Sequence, residues 1–247
     1  MSRFLIKTIK TKEVSGELFK NSYALYKKYR RDTNYNIFVK DLKKCLYFIY
    51  IYDKKFLELI GFCSVSNLFD VFEKNNVIIF SGEAVIHENY TNKKLLQTIY
   101  CKHFLNVKLS YPFRKVYFLT TCDNFKIYLL MERYFSKFYP RWNCKMPKNI
   151  QSIIDASMNR LFPNKYISEK GIIRNYSEAC PLKQSAANIT PKMIFLDKKT
   201  DFFQKINSGW REGDELVCIG LLGWLDCLYF SFKFIISYLS KHPIKRD

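Results

Sequence analysis

Apolar positions along the chain change period in an order that predicts elements before any chemistry is considered. Phe4 and Ile6 alternate with polar and charged neighbours over Arg3–Ile9, which predicts a first strand. Leu18, Tyr23, Leu25, Tyr26 and Tyr29 predict a helix ending near Asp32, and Phe38, Val39 and Leu42 a second. Leu46–Tyr52 and Leu57–Ser66 are apolar strands separated by Asp53-Lys54-Lys55, which has the chemistry of a hairpin turn. After a connecting loop at Asn67–Asn76, the run Val77-Ile78-Ile79-Phe80 has no polar alternation, as in a strand buried on both faces, and Ser81–Ile86 carries it to a turn at His87–Thr91.

Beyond that turn Leu95, Leu96, Ile99, Tyr100, Phe104 and Val107 recur at three- and four-residue steps, the face of a long helix that Thr91 or Asn92 can cap and that Tyr111-Pro112 ends. Val116–Thr121 is β-branched and aromatic, the next strand, and Asp123-Asn124 caps a helix that runs toward Tyr139. Two strands joined by a helical crossover this long are parallel neighbours. Together with the upstream hairpin they predict an α/β fold with a central mixed sheet flanked by helices. Residues 1–145 form the main region and 146–247 an extension that completes the sheet and adds an apolar helix.

In the extension, Ile150, Ile153, Ile154, Met158 and Leu161 mark an amphipathic helix closed by Pro163. Gly171–Tyr176 and Met193–Leu196 read as strands flanking a polar loop at Ser177–Thr190, Thr200 as the cap of a short helix, and Glu215–Leu222 as a final strand. Leu216–Phe232 carries one charge, Asp226, but Gly220 and Gly223 break the run. On a helix over Leu225–Leu239 the residues Asp226, Lys233, Ser237 and Ser240 form a narrow polar stripe, which suits a docked or interfacial helix better than a spanning one.

Composition adds one strong constraint. A formal charge of +19 over 247 residues favours acidic partners: nucleic acid, an anionic membrane surface, an acidic carrier protein or nucleotide phosphates. The same lysine, asparagine, tyrosine and phenylalanine enrichment also follows from an A+T-rich coding sequence, so the two explanations stand side by side. Eight cysteines without CxxC spacing, mostly within apolar runs, read as buried thiols of a reducing, cytoplasmic compartment, and no metal site is expected. The basic tail Lys241–Arg246 keeps a peripheral membrane location open.

Candidate chemistry gathers around the turn at His87–Thr91. A helix that starts just past a buried parallel strand turns free backbone N–H groups toward whatever lies beyond the strand, and Lys93 and Lys94 add positive charge there, a combination that suits a pyrophosphate or a solvated helix end. Glu83, Val85 and His87 share one strand face, but Glu83 and His87 stand roughly 13 Å apart along it, so they are independent base candidates and no contacting dyad. Glu83 serves either as a base or as an acid paired with a lysine.

The order strand, turn, helix, strand, Asn-capped helix resembles the Gcn5-related N-acetyltransferase (GNAT) superfamily over roughly residues 3–140. The resemblance implies an acyl-CoA N-acyltransferase-like fold in which the turn after the fourth strand wraps a pyrophosphate and the fourth and fifth strands splay around the pantetheine arm. The family's turn reads Gln or Arg, two residues, Gly, one residue, Gly or Ala. Aligned on Tyr90, this chain has Thr91, Lys94 and Leu96 there, and both glycines are absent. Asp123-Asn124 with a later tyrosine resembles the family's fourth helix, although the usual tyrosine position falls on Met131 and Tyr134 fits with a shifted register.

The resemblance therefore implies donor contacts from Val85, Tyr90, Thr91, Asn92, Lys93, Lys94 and Asn124, with Glu83 or His87 as base, Tyr134 as acid for the thiolate, and a backbone N–H such as that of Val85 for the oxyanion. The donor would be acyl-CoA or an acyl-carrier protein and the acceptor an amine. Without the glycines, either the donor is held differently, as a carrier protein or long-chain acyl-CoA would be, or catalysis is lost. A basic nucleic-acid-binding protein and a non-catalytic membrane-surface protein remain the alternative functions.

Overall fold

The computed structural model describes residues 3–69, 76–174, 180–183 and 198–230. Within these, one mixed sheet runs from β1 (Phe4–Lys10) through the hairpin strands β2 (Tyr47–Asp53) and β3 (Glu58–Phe69) to β4 (Asn76–Ile86) and β5 (Lys115–Cys122). The first four strands pair antiparallel, and β4 and β5 pair parallel across the helix α3 (Leu95–Ser110). Three short strands follow, β6 (Lys137–Tyr139), β7 (Tyr166–Ile167) and β8 (Ile172–Ile173), before β9 (Glu215–Leu222). That last strand lies inside the sheet: it pairs antiparallel with β5 along one edge and with β6 and β8 along the other.

The absence of polar alternation in β4 and β5 has its cause in two covered faces. Val77, Ile79, Val116 and Phe118 point into one core with Phe104 of α3, with α4 (Phe125–Tyr134) through Tyr128 and Met131, and with α6 (Lys198–Ile206) through Phe203. Ile78, Phe80, Tyr117 and Leu119 point into the opposite core with Ile153, Ile154 and Met158 of α5 (Lys148–Leu161). Val217 and Ile219 of β9 follow the second set, Leu216 and Cys218 the first. On the α5 side, α1 (Gly16–Tyr26) and α2 (Tyr35–Leu42) pack Phe19, Leu25 and Phe38 against Phe48, Tyr50 and Phe62.

Several boundaries differ from the sequence expectation. The helix after β5 ends at Tyr134, and residues 137–139 form β6 because Phe138 is drawn into the core beside β9. Thr200 sits inside the first turn of α6 and is buried, where the sequence placed it at the cap. Neither Thr91 nor Asn92 caps α3: residues Glu88–Lys93 wind into a 3-10 turn capped by the His87 imidazole, and Lys94 takes the N-cap position at φ 54°, in the left-handed region. The expected strand at Met193–Leu196, the continuation of the C-terminal helix past residue 230 and the basic tail lie outside the described residues; residues 224–230 are helical. Among the described residues no helix is long and apolar enough to cross a membrane.

A side chain at Lys94 strains the left-handed backbone that glycine adopts freely. Lys94→Gly is expected to raise stability by roughly 0.5–1 kcal/mol, and Lys94→Val to lower it, in urea unfolding midpoints.

Candidate functional site

The parallel pairing of β4 and β5 stops halfway. It runs from Asn76↔Lys115 to Ser81↔Thr120, after which β4 continues to Ile86 bonded to β3 alone. The cause is local. A β-bulge opposite Ser64 inserts one extra residue at Gly82-Glu83, where the register steps from Val65↔Ser81 to Cys63↔Ala84, and a bulged strand bends away from its neighbour. Glycine fits tightly at this step: a Cβ on Gly82 would stand 2.8 Å from Ser64 Oγ and 3.1 Å from Cys45 Sγ, so a larger residue displaces those side chains.

The parted strands enclose a cavity of about 540 Å³ on the α3 and α4 side of the sheet. Its walls come from Gly82–Ile86 of β4, Thr120 and Thr121 of β5, Tyr100 and Phe104 of α3, and Ile127, Leu130, Met131 and Tyr134 of α4. The His87 N–H donates to Ile60 O at 2.7 Å, so the two-residue alternation of the ladder directs the Val85 N–H at β3 and leaves those of Ala84 and Ile86 facing the gap.

At the inner end of the gap one guanidinium meets three carboxyl groups. Arg30, just beyond α1, reaches Asp123 Oδ2 at 2.6 Å and Glu83 Oε2 at 3.1 Å, and donates to Cys180 O at 3.1 Å. Glu215, at the start of β9, completes the group and accepts from the Thr121 hydroxyl. Burial raises the Glu83 carboxyl, with Arg30 opposing and Asp123 reinforcing. Burial, then the nearby Glu83 charge, pushes Glu215 up to about 7. Arg30 stays charged, because Glu83 and Asp123 outweigh the cost of its burial.

Arg30, Gly82, Glu83, Thr121 and Glu215 also line a second cavity of about 70 Å³ on the opposite face, walled by Tyr26, Phe38, Asp41 and Phe162. The cluster is thus the partition between a large cavity on one face of the sheet and a small one on the other.

The residues expected from the sequence divide into two sets. Glu83, Val85, Thr91, Asn124 and Tyr134 line the large cavity. Asn124 caps α4 by accepting from Lys126 N at 2.9 Å and donates to Asp123 Oδ1 at 2.6 Å, and Tyr134 stacks on Phe230 at 5.0 Å. The others stand apart. His87 accepts from Asn89 N at 3.4 Å in the turn, and Tyr90 donates to Asp53 Oδ2 at 2.9 Å while its ring packs on Phe4. Lys93 and Lys94 are exposed beside the mouth. The backbone of Asn92 belongs to the 3-10 turn, and its side chain lies outside the described set.

Sequence reasoning missed Arg30, Asp123 and Glu215 as members of one group. Asp123 was visible only as part of a cap, and nothing local to Glu215 foretells that β9 enters the sheet beside β5.

With an antiparallel hairpin, a parallel pair that parts beyond a bulge and an Asn-capped helix after it, the fold is GNAT-like, in a divergent form without the turn's glycines. No protein-family model and no curated protein matches the chain. Among solved structures it is similar to a GNAT family N-acetyltransferase from Escherichia coli in complex with CoA, at 15% identity and a TM-score of 0.37, covering 49% of this chain and 63% of that one. It is also similar to an aminoglycoside acetyltransferase from an uncultured soil metagenomic sample, at 9% identity and a TM-score of 0.40, covering 59% and 97%. A possible acetyltransferase from Clostridium difficile 630 gives 10% identity and 0.40, covering 59% and 99%.

Between its ordinary 4.5 and about 7 the folded protein holds a proton on Glu215 that the unfolded chain releases, so this group makes stability fall as pH rises through that window. Glu215→Gln is expected to flatten that fall and to leave the variant more stable than the wild type above the window, in urea midpoints measured across it.

Proposed function

We propose that the protein transfers an acyl group from a phosphopantetheine thioester, acyl-CoA or an acyl-carrier protein, to an amine. The parted β4 and β5 strands carry this reading, since they leave backbone donors and acceptors facing a cavity of about 540 Å³. Ala84 and Ile86 offer N–H and C=O groups to the arm's amides as a neighbouring strand would. At the mouth, the first helical bond of α3 is Thr98 N to Lys94 O at 3.0 Å, so the amides of Leu95, Leu96 and Gln97 stand at the helix's open end, where a phosphate is favoured. Lys94 already has the left-handed conformation that a glycine would supply in that turn.

The chemistry requires an acceptor amine to lose a proton as its nitrogen attacks the thioester carbonyl, the C–S bond to break, and the thiolate to gain a proton. Glu83 and Glu215 are the groups placed to take the amine's proton, since both line both cavities and burial brings Glu215 close to neutral pH. The oxyanion would be met by a gap-facing backbone N–H of β4, with Ala84 and Ile86 better directed for it than Val85. Tyr134, on the cavity wall, is the candidate proton donor to the thiolate. The acceptor approaches through the small cavity, where Lys44 pairs with Asp41 and Arg30 with Glu83, and Glu215 stands on the same wall.

Calorimetric titration with CoA and with acyl-carrier protein tests the reading. Binding of CoA assigns that donor, and binding of the carrier alone assigns the other. If neither binds, and pantetheine does not bind either, the reading fails. With a donor bound and a panel of primary amines supplied, Glu83→Gln is expected to lower kcat/KM about 100-fold or more while donor affinity stays within a fewfold of the wild type.

A further inference from the structure

The large cavity changes character along its length. On α3 the lining passes from Leu96 and Gln97 to Tyr100 and Phe104, about 12 Å along the helix axis. On α4 it passes from Lys126 through Ile127, Leu130 and Met131 to Tyr134, with Phe135 just past the helix. On β4 it passes from Ile86 back to Ser81. One end carries Glu88, Thr91, Gln97 and Lys126, and the other is closed by Phe104, Phe118, Phe135 and Phe230.

These four rings form one floor. Phe104 stands 5.0 Å from Phe118, 6.0 Å from Phe135 and 5.5 Å from Phe230, and Phe118 and Phe135 stack at 5.6 Å. At the crotch Ser81 Oγ and Tyr100 Oη bond each other at 2.6 Å and Thr120 Oγ1 donates to Ser81 O at 3.3 Å, so these hydroxyls turn no strong demand toward a ligand. Phe118 lies two residues below Thr120, the last residue of β5 paired with β4, which places the floor below the crotch, on the α3 and α4 face of the paired strands and past the level of Gly82 and Glu83.

Resting on the reading above, we propose that the donor carries a medium-length hydrocarbon acyl chain, not an acetyl group, and that the chain lies on this aromatic floor. The polar part of the cavity matches the amides of a pantetheine arm. Four phenyl rings offer those amides nothing, since an amide moved there would lose its hydrogen bonds. An acetyl group would end beside Glu83, where the thioester must sit to meet the base, and would leave the floor without apolar contact. A hydrocarbon chain continuing past the thioester fills that space with the dispersion contacts that packed interiors require.

The floor also has an adjustable wall. Gly220 of β9 lies directly behind Phe135: a Cβ there would stand 2.6 Å from the Phe135 ring, so an alanine drives the ring toward the cavity. Phe230 closes the far side with its ring stacked on Tyr134 and set edge-on to Phe135.

The test uses the full chain and acyl-pantetheine thioesters of increasing length, whose arm is common to acyl-CoA and acyl-carrier donors, with pantetheine itself as reference and no acceptor amine present. Affinity is expected to rise about fourfold per methylene from the acetyl to the octanoyl compound and then level off. Gly220→Ala should move the levelling point to shorter chains and Phe230→Ala to longer ones, with pantetheine affinity unchanged in both. If Gly220→Ala does not fold, the shift in Phe230→Ala decides alone. Equal affinities for acetyl and octanoyl compounds, with pantetheine bound, overturn the acyl-chain inference and leave the acyl-transfer reading standing. Failure of every compound to bind, pantetheine included, overturns both.

Discussion

The bulge at Gly82-Glu83 is the constraint on which the rest of this site depends. A parallel strand pair is held by evenly spaced backbone bonds, and left alone β4 and β5 would pair to their ends. One extra residue in β4 breaks that spacing after Ser81↔Thr120, and from there β4 follows β3 alone. Backbone groups facing the gap cannot be left dry without cost, so the opening is stable as a feature that water or a ligand's amides complete. Gly82 makes the step sterically possible, and the buried runs on either side of it keep both strands in the sheet.

The opening in turn determines the electrostatics. Because β4 and β5 separate, the sheet has a hole at its centre, and what fills it is polar: Arg30 between Glu83 and Asp123, with Glu215 behind. One guanidinium cannot neutralise three carboxylates in a desolvated site, and burial beside Glu83 pushes Glu215 up to about 7, so Glu215 holds a proton close to neutral pH. On a chain of net charge +19 this is a local inversion of sign, located where the two cavities meet. Overall charge therefore says little about what the site itself attracts. Near contacts outweigh a field that salt screens within about 10 Å.

Much of this was legible in the sequence wherever the physics is local. The buried runs of β4 and β5, the face of α3, the hairpin turn and the Asn124 cap all lie within short windows, and the mixed sheet follows from the crossover length. Glu83 could be named as the strand's carboxylate. Its partners could not, since Arg30 and Asp123 come from distant positions and Glu215 arrives only because β9 pairs with β5. Tyr90 misled for a related reason. Its neighbours in sequence point to the turn, but its hydroxyl is held by Asp53, which is fully buried and also bonded to Arg3. The bulge itself was invisible, as the residues around Gly82 read equally well as a continuous strand.

The absent glycines are the point at which sequence and geometry bear on each other most directly. Glycine is favoured in an anion-binding turn for two separable reasons: access to positive φ, and the lack of a Cβ between backbone and ligand. Lys94 meets the first, holding φ 54° at the position of the first missing glycine. Leu96, at the position of the second, does not meet the other, for its side chain lines the cavity near the mouth. The turn therefore has a left-handed residue where the first glycine would stand and a leucine side chain at the cavity lining where the second would. Under the proposed acyl transfer, a narrowed mouth would weaken the grip on a phosphate and shift the weight of donor recognition inward, toward the strand edge of Ala84 and Ile86 and the aromatic floor beyond it. Loss of the glycines and the presence of four buried phenyl rings at the other end of the same cavity are, on this account, two sides of one redistribution of binding energy.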